Sequence, residues 1–210
     1  PVQPQPVLRD GHIGGPLEQA PSLKRHAARD WPSLQALPRV RPMAGSSPEH
    51  VDVLIVGAGI SGIGGAVHLQ ERCPGTTFAI LEGRRDIGGT WDLFRYPGVR
   101  SDSDMHTLGF RFKPWKQEKA IADGPTILAY LRETVAEHDL ARHIRFDHRV
   151  SSAEWSSNDA RWTVTATHRD PATGGEQAVS MTCGFLYMCS GYYSYREGYT
   201  PEFKGLERFG

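Results

Sequence analysis

The sequence lacks any long apolar run and any excess of charge of one sign. No window approaches the ~18 apolar residues that a membrane span needs, and the amino-terminal part has no apolar segment typical of a secretion signal. The 24 basic and 24 acidic residues cancel, which argues against a nucleic acid or an anionic membrane held by bulk charge. These absences predict a soluble protein with no nucleic-acid partner and no transmembrane segment.

Cysteine is also scarce. The three cysteines lack the spacing of a zinc site and are odd in number, and we interpret all of them as small buried residues: Cys73, Cys183 and Cys189. This usage indicates a reducing compartment, so we expect a cytoplasmic protein. Three evenly spaced histidines lack neighbouring ligands, and we interpret them as surface residues rather than a metal site: His138, His143 and His148.

Residues 1 to 48 have no hydrophobic periodicity, and 8 of the 15 prolines lie within the first 42 residues. Such a segment buries too little apolar surface to offset the entropy of ordering it. We therefore predict a proline-rich, disordered leader over residues 1 to 48 and a folded domain over residues 49 to 210. Because Met43 opens the segment that leads into the first predicted strand, we also hypothesise that residues 1 to 42 extend upstream of the natural start.

A glycine-rich turn follows the first strongly apolar run of the chain. Residues 51 to 56 have the pattern of a buried strand, and Gly57, Gly59 and Gly62 follow as Gly-x-Gly-x-x-Gly. The first glycine of this motif makes a tight turn, the second admits a phosphate, and the third lets helix and strand pack closely. The motif predicts a dinucleotide pyrophosphate at the amino end of a helix over residues 60 to 73.

A second predicted strand, residues 77 to 81, ends at Glu82. Glu82 lies 20 residues after Gly62, the separation expected for the acid that binds a ribose hydroxyl. A glycine-rich turn of some other α/β protein is the alternative, but the register favours a dinucleotide site. Arg84 and Arg85 could suit a 2′-phosphate, yet the Glu82 carboxylate would repel one. We interpret the arginines as a solvated rim and favour FAD or NAD.

The rest of the chain predicts a loop, two helices and several strands. Residues 83 to 104 form a long polar loop, which is either a ligand wall or a surface excursion. Helices are predicted near residues 104 to 110 and 125 to 139, and strands over residues 144 to 146, 150 to 155, 162 to 167 and 179 to 183. A hairpin or a three-stranded meander fits the antiparallel part. A last, fully buried run over residues 185 to 191 is predicted to rejoin the parallel sheet.

With these residues assembled, the chain resembles the FAD-binding part of class B flavin-dependent monooxygenases of the Baeyer–Villiger type. The resemblance covers residues 50 to 209 and rests on three stretches, 57 to 62, 88 to 105 and 189 to 193. The second stretch, from Gly-Gly-Thr-Trp to Asp102, is the most specific. The resemblance implies an α/β, Rossmann-like three-layer fold with a parallel sheet and a β-meander.

The resemblance also implies roles for individual residues. The FAD pyrophosphate would be held by Gly57, Gly59, Ser61 and Gly62. The adenosine ribose would bind Glu82, and the adenine would meet the backbone of Val150. The flavin side would be lined by Thr90, Trp91, Asp92 and Leu93. Positions near the flavin and the nicotinamide of NADPH would be Arg100, Ser101 and Asp102.

In the family, the counterpart of Asp102 supports catalysis by orienting an arginine that stabilises the oxygenated flavin. The family uses NADPH and O2 to oxidise a ketone or a sulfur compound. Its members continue into a second glycine-rich unit for NADPH and the catalytic arginine, which these 210 residues do not contain. We therefore expect the FAD-binding portion of a monooxygenase, truncated relative to the family.

Two other interpretations remain open. One is a non-catalytic, truncated module that binds FAD or another nucleotide. The other is a flavoprotein of the disulfide-reductase type, which shares the fold and the first motif but needs a redox dithiol soon after the second strand. This chain has Trp91 in that region and no cysteine between Cys73 and Cys183, so the sequence disfavours the reductase.

Overall fold

The structure is a computed structural model that describes residues 48–195 and 197–209. Apart from Pro48, the predicted leader lies outside these residues. The strands are β1 (Glu49–Val56), β2 (Phe78–Leu81), β3 (Ile144–Arg145), β4 (His148–Ser156), β5 (Arg161–Arg169) and β6 (Glu176–Met188). The α-helices are α1 (Ile60–Arg72), α2 (Thr90–Leu93), α3 (Met105–Leu108) and α4 (Gly124–Glu137), and two short 3-10 helices cover Leu140–His143 and Leu206–Arg208.

The six strands form one mixed sheet in the order β3, β2, β1, β6, β5, β4. The first four in this order pair in parallel, whereas β5 runs antiparallel to both β6 and β4. Strand β1 takes a central place because it is apolar on both faces. Its neighbouring residues Leu54 and Ile55 point to opposite faces, and both are fully buried. The predicted α/β fold is confirmed.

Strand β6 is one continuous strand of 13 residues that joins the two parts of the sheet. Residues 176 to 183 pair with β5 and residues 181 to 188 pair with β1, so Met181, Thr182 and Cys183 pair on both sides. The sequence predicted two separate strands and full burial of the second, and both predictions are wrong. Phe185 is 60% exposed and Met188 is 55% exposed, because α1 and α4 pack mainly against β1 and β2.

The helices α1 and α4 cover one face of the sheet. Asp123 caps α4, since its carboxylate accepts a hydrogen bond from the backbone N–H of Thr126 at 2.9 Å, and Pro125 occupies the first turn. The apolar faces of the two helices are buried, with Ile63, Val67, Ile127 and Leu131 fully enclosed. In the described ranges, no helix has the length and apolar character needed to cross a membrane.

A second apolar cluster lies on the other side of the sheet. It joins side chains of β1 and β2 with side chains of β5 and β6, including Leu54, Leu81, Val164 and Met181. The antiparallel strands therefore contribute to the core as well as to the sheet. This arrangement brings the beginning of β4 close to the end of β2, where the N–H of His148 donates to the carbonyl oxygen of Glu82 at 2.8 Å.

The histidines predicted to lie on the surface are half-buried. The ring of His143 stacks on Phe78 with 4.1 Å between centroids, and His148 stacks on His168 across β4 and β5 at 4.4 Å. These imidazoles act as flat packing surfaces. The prediction for the cysteines is correct for Cys183, which is buried, whereas Cys189 is half-buried and Cys73 is exposed just after α1.

Candidate functional site

The glycine turn between β1 and α1 lies at the carboxyl edge of the parallel strands. The N–H of Gly57 donates to the carbonyl oxygen of Leu81 at 2.8 Å, and the N–H of Cys189 donates to that of Val56 at 2.8 Å. The turn is thus held between the ends of β2 and β6. Open α/β sheets bind their ligands at this edge.

Two of the motif glycines are required by the packing of the protein itself. Gly57 has a φ of +106°, and a Cβ at this position would lie 2.5 Å from the carbonyl oxygen of Cys189. A Cβ on Gly62 would lie 1.9 Å from the carbonyl oxygen of Gly57. Any side chain at either position would collide with backbone atoms that cannot move independently.

Gly59 is different. Its φ is −82°, which any residue adopts, and a Cβ there would come no closer than 3.7 Å to any described atom, the nearest being the Cα of Gly89. Packing within the described residues therefore does not require glycine at this position. The close approach of a phosphate, which the motif assigns to its second glycine, gives a physical reason for it.

Among the described residues, the amino end of α1 presents backbone donors without a hydrogen-bond partner beside Gly59. The first hydrogen bond within the helix runs from the N–H of Ile63 to the carbonyl oxygen of Gly59 at 3.0 Å. The N–H groups of Ile60, Ser61 and Gly62 precede this bond, and no side chain of Gly59 is available to cap them. Together with the helix dipole, these amides can receive a pyrophosphate.

Glu82 lies beside the same turn and is only 7% exposed. One carboxylate oxygen accepts the N–H of Ala58 at 2.8 Å, and the other accepts the N–H of Arg84 at 3.0 Å. Each oxygen retains a lone pair, so the carboxylate can also accept ribose hydroxyls. Glu82 thus orders the glycine turn and keeps acceptor capacity for a ligand.

A second glycine pair forms the opposite wall of the site. The N–H of Gly88 donates to the carbonyl oxygen of Ala58 at 2.9 Å, and a Cβ on Gly89 would lie 3.3 Å from the Cα of Gly59. Both residues have a positive φ, +111° at Gly88 and +53° at Gly89. The long loop predicted over residues 83 to 104 therefore packs on the glycine turn at this point, and it contains the short helix α2.

Asp92 in α2 is buried among arginines. It is 3% exposed, and its carboxylate pairs with Arg84 and accepts a hydrogen bond from Arg95 Nη2 at 3.0 Å. Arg84 Nη1 also donates to the carbonyl oxygen of Gly89 at 3.1 Å. The interpretation of Arg84 as part of a solvated rim is wrong, because its guanidinium serves the Asp92 carboxylate. This cluster was not predicted from the sequence. Its only signal there is the opposite charge of Arg84 and Asp92, eight positions apart.

The structure brings most of the other predicted residues to the same region. Ser61 is exposed on the first turn of α1, and Trp91 is half-buried against the core. Val150 is half-buried in β4, two residues after the contact between His148 and Glu82. Thr90 and Leu93 lie with Trp91 and Asp92 in α2. Contacts of these residues with a ligand stay predictions.

The residues predicted near the nicotinamide lie in the last part of the same long loop, after α2. Arg100 and Asp102 are exposed, and Arg100 forms a β-bridge with Asp123 at the start of α4. Ser101 is buried between them, where its N–H donates to the carbonyl oxygen of Ala122 at 2.9 Å and its hydroxyl accepts the N–H of Ala122 at 3.2 Å. The buried serine fixes the loop and leaves its two charged neighbours open to a ligand.

Two ionisable groups at the end of β6, towards the glycine turn, have raised pKa values, Tyr187 and Cys189. Burial raises the pKa of the Cys189 thiol. The pKa of Tyr187 is raised as well, chiefly because its phenolate would face the thiolate of Cys189 and secondarily by burial. Neither group carries a negative charge near pH 7. An anionic phosphate at the turn would therefore meet no repulsion from them.

Comparison with known proteins agrees with this geometry. Residues 55–120 match the family described as an NAD(P)-binding Rossmann-like domain. The FAD-containing monooxygenase EthA of Mycobacterium tuberculosis is 57% identical over 161 residues, which make up 77% of this chain and 32% of that protein. The chain thus spans about a third of the length of this relative.

Solved structures extend the comparison. An oxidized steroid monooxygenase bound to NADP is 37% identical with a TM-score of 0.58, covering 76% of this chain and 29% of that one. Cyclohexanone monooxygenase from Rhodococcus sp. Phi1 bound to NADP+ is 30% identical with a TM-score of 0.60, covering 78% and 29% respectively. Over about three quarters of its length the chain is therefore similar to FAD-containing monooxygenases and to Baeyer–Villiger monooxygenases of known structure, of which it covers about a third.

Proposed function

We propose that the chain is the FAD-binding portion of an NADPH- and O2-dependent flavoprotein monooxygenase. The observation that carries the proposal is the cradle at Gly59. It is a glycine that internal packing does not require, next to the open amides of α1 and the buried Glu82 carboxylate. A dinucleotide combines an anionic pyrophosphate with a ribose, and its binding requires the protein backbone to come close to the phosphates.

The chain's own residues divide the work of holding this cofactor. Gly57 and Gly62 shape the turn, while Gly59 and Ser61 contact the pyrophosphate. Glu82 binds the adenosine ribose. The adenine would meet the backbone of Val150, and the flavin end would be lined by α2 through Thr90, Trp91 and Leu93.

When bound, FAD supplies the redox chemistry, accepting a hydride from NADPH and activating O2 for the oxidation of a ketone or a sulfur compound. We infer that the exposed Arg100 and Asp102 contact the nicotinamide side, and the buried Ser101 holds their loop in position. Asp102 would support catalysis, as its counterpart in the family does, by orienting a catalytic arginine.

The free thiols support a reducing location, and we place the protein in the cytoplasm. Fractionation of the source cells with an antibody against the chain tests this location. Recovery of the protein outside the cytoplasmic fraction would contradict it.

The test of the proposed function compares two glycine substitutions in the full 210-residue chain. FAD is titrated into the protein, and binding is followed by the change in flavin fluorescence. We expect wild-type protein to bind FAD and to unfold at a higher temperature when FAD is present. Gly59→Ala should fold normally and bind FAD about 10-fold more weakly, because its methyl group occupies the phosphate's space.

Gly198→Ala is the matched control, since no described atom lies within 4 Å of a Cβ at that position. It should leave FAD binding unchanged. Failure of wild-type protein to bind FAD, or equal affinities of the wild type and Gly59→Ala, would contradict the proposed site.

A non-catalytic FAD-binding module is the second candidate. The Gly-x-Gly-x-x-Gly motif occurs once in the 210 residues, whereas a monooxygenase of this type uses two dinucleotides. Oxygen consumption by the FAD-loaded chain, with NADPH and a ketone or a thioether, separates the candidates. Turnover that depends on the substrate supports the monooxygenase, and FAD binding without turnover supports the module.

A further inference from the structure

The ion pair between Arg84 and Asp92 connects two parts of the site that are separate in sequence. Arg84 follows β2 and Glu82 directly, whereas Asp92 lies in α2 behind the second glycine pair. The Arg84 guanidinium pairs with the Asp92 carboxylate and donates to the carbonyl oxygen of Gly89 at 3.1 Å. The side chain of one residue therefore holds both the helix α2 and the glycine before it.

The backbone of the same residue contacts the other end of the site. The N–H of Arg84 donates to the Glu82 carboxylate at 3.0 Å, and the second oxygen of that carboxylate accepts the N–H of Ala58 at 2.8 Å. Arg84 is thus bonded to the proposed ribose acid through its backbone and to the proposed flavin wall through its side chain. Replacing the side chain leaves the backbone contact with Glu82 in place.

The burial of Asp92 constrains the geometry of its ion pair with Arg84. Asp92 is 3% exposed and the Arg84 side chain is 35% exposed. A carboxylate removed from water keeps its charge only when it is paired and hydrogen-bonded, so its position follows that of its partners. Arg95 provides a second partner at 3.0 Å but is 77% exposed, so solvent competes for its guanidinium.

We propose that Arg84 and Asp92 are positioning residues that hold the wall of residues 88 to 93 against the pyrophosphate turn. Asp92 then acts on the cofactor through Arg84 and Gly89 and does not itself contact the flavin. This inference rests on the proposed FAD site. It predicts that breaking the pair affects the flavin end of the ligand and spares the adenosine end.

The experiment measures two dissociation constants, for FAD and for AMP, in the full 210-residue chain. AMP probes the adenosine end with one phosphate and lacks the flavin end. Arg84→Gln should raise the dissociation constant for FAD about 10-fold, the scale of a lost charge-assisted hydrogen bond, and leave that for AMP within about twofold. Asp92→Asn should give the same pattern. The double variant should bind FAD no more weakly than whichever single variant has the lower affinity, since both changes remove the same interaction.

Two further variants complete the design. Arg85→Gln is the matched control, because Arg85 is 62% exposed and its nearest carboxylate, that of Asp147, lies 3.5 Å away. It should change neither constant. Arg84→Lys keeps the charge but not the fork that reaches Asp92 and Gly89 together, so its affinity for FAD should lie between those of Arg84→Gln and the wild type. If Asp92→Asn does not fold, the two Arg84 variants carry the test.

The outcomes separate this inference from the proposed function. Wild-type protein that does not bind FAD overturns both. Wild-type binding with unchanged affinity in Arg84→Gln overturns the positioning role alone. Equal weakening of FAD and AMP also overturns that role, because it indicates a general loss of stability. Losses that multiply in the double variant would show that the two residues act independently.

Discussion

The three glycines of the first turn have different physical reasons for being glycine. At Gly57 the backbone conformation and the neighbouring carbonyl both exclude a side chain, and at Gly62 the preceding turn does so. At Gly59 the described packing allows a methyl group, and a ligand explains its absence. One motif therefore contains two residues that maintain the fold and one that is specific to binding.

The stability of the variants should reflect this division. We expect Gly57→Ala to lower the free energy of unfolding by about 2 kcal/mol or more, because it combines a strained φ with a backbone collision. Gly59→Ala should lower it by less than about 1 kcal/mol. Urea unfolding without ligand measures both, and equal losses would contradict the assignment.

A second prediction at the residue scale concerns His148. Its pKa is lowered from the usual 6.5, first by burial and then by the nearby His168 and Arg145. The Phe146 carbonyl and the charge of Asp147 act in the opposite direction, and Asp147 also faces Arg85. Because the folded protein favours the neutral ring, the stabilisation is complete above pH 6.5 and is lost as the pH falls through the folded-state pKa.

The measurement is the free energy of unfolding between pH 7 and pH 5. It should decrease in wild-type protein, and His148→Phe should remove part of the decrease while keeping a stacked ring against His168. The control is His106→Gln, since His106 is exposed, and its profile should follow the wild type. An unchanged slope in His148→Phe would refute the assignment.

At the scale of secondary-structure elements, the sequence predicts correctly those elements whose signals lie close together in the chain. Strand β1, helix α1 and strand β2 could be predicted because their periodicity, their turn glycines and Glu82 lie within one short unit. The continuity of β6 could not, because Gly184 suggests a break and only pairing with two distant strands keeps the strand intact. Pairing of this kind has no local signature.

The charged residues of the loop illustrate the same limit. Position after a strand suggested a solvated rim for both Arg84 and Arg85, yet Arg84 is half-buried and paired with Asp92, whereas Arg85 is exposed. The difference arises from the turn of the backbone at Gly88 and Gly89, which brings α2 back to the end of β2. Where charged residues follow neither a helical nor a strand period, the sequence does not show which opposite charge each of them pairs with.

Strand β6 should show its double pairing in hydrogen exchange. Residues 181 to 183 are flanked by paired strands on both sides, whereas β3 and β4 form the edges of the sheet. We expect slow amide exchange in β1 and in this part of β6, and faster exchange in β4. Equal protection along β4 and β6 would contradict the described sheet order.

At the scale of the whole molecule, β6 belongs to both the parallel and the antiparallel part. The residues it shares between β1 and β5 leave no boundary at which the sheet could separate. We therefore expect the described fold to unfold in a single transition, with circular dichroism and tryptophan fluorescence giving the same midpoint.

Trp162 in β5 and Trp115 on the helical side report on different parts of the fold. Trp155 also lies in the meander, and Trp91 also packs on the helical side. Trp155→Phe combined with Trp162→Phe therefore leaves the helical reporters, and Trp91→Phe combined with Trp115→Phe leaves those in the meander. Both variants should show a midpoint that coincides with their own circular dichroism. Two separate midpoints would indicate that the meander and the parallel strands unfold independently.

The position of β6 also has a consequence for protein synthesis. The side chains of His50 in β1 and Thr182 in β6 are hydrogen-bonded partners 132 residues apart in the chain. At about 5 to 20 residues per second, a ribosome needs roughly 7 to 26 s to make the intervening chain. Until β6 emerges, β1 keeps an open edge on the side where β6 will pair, so nascent chains should depend on chaperones through that interval.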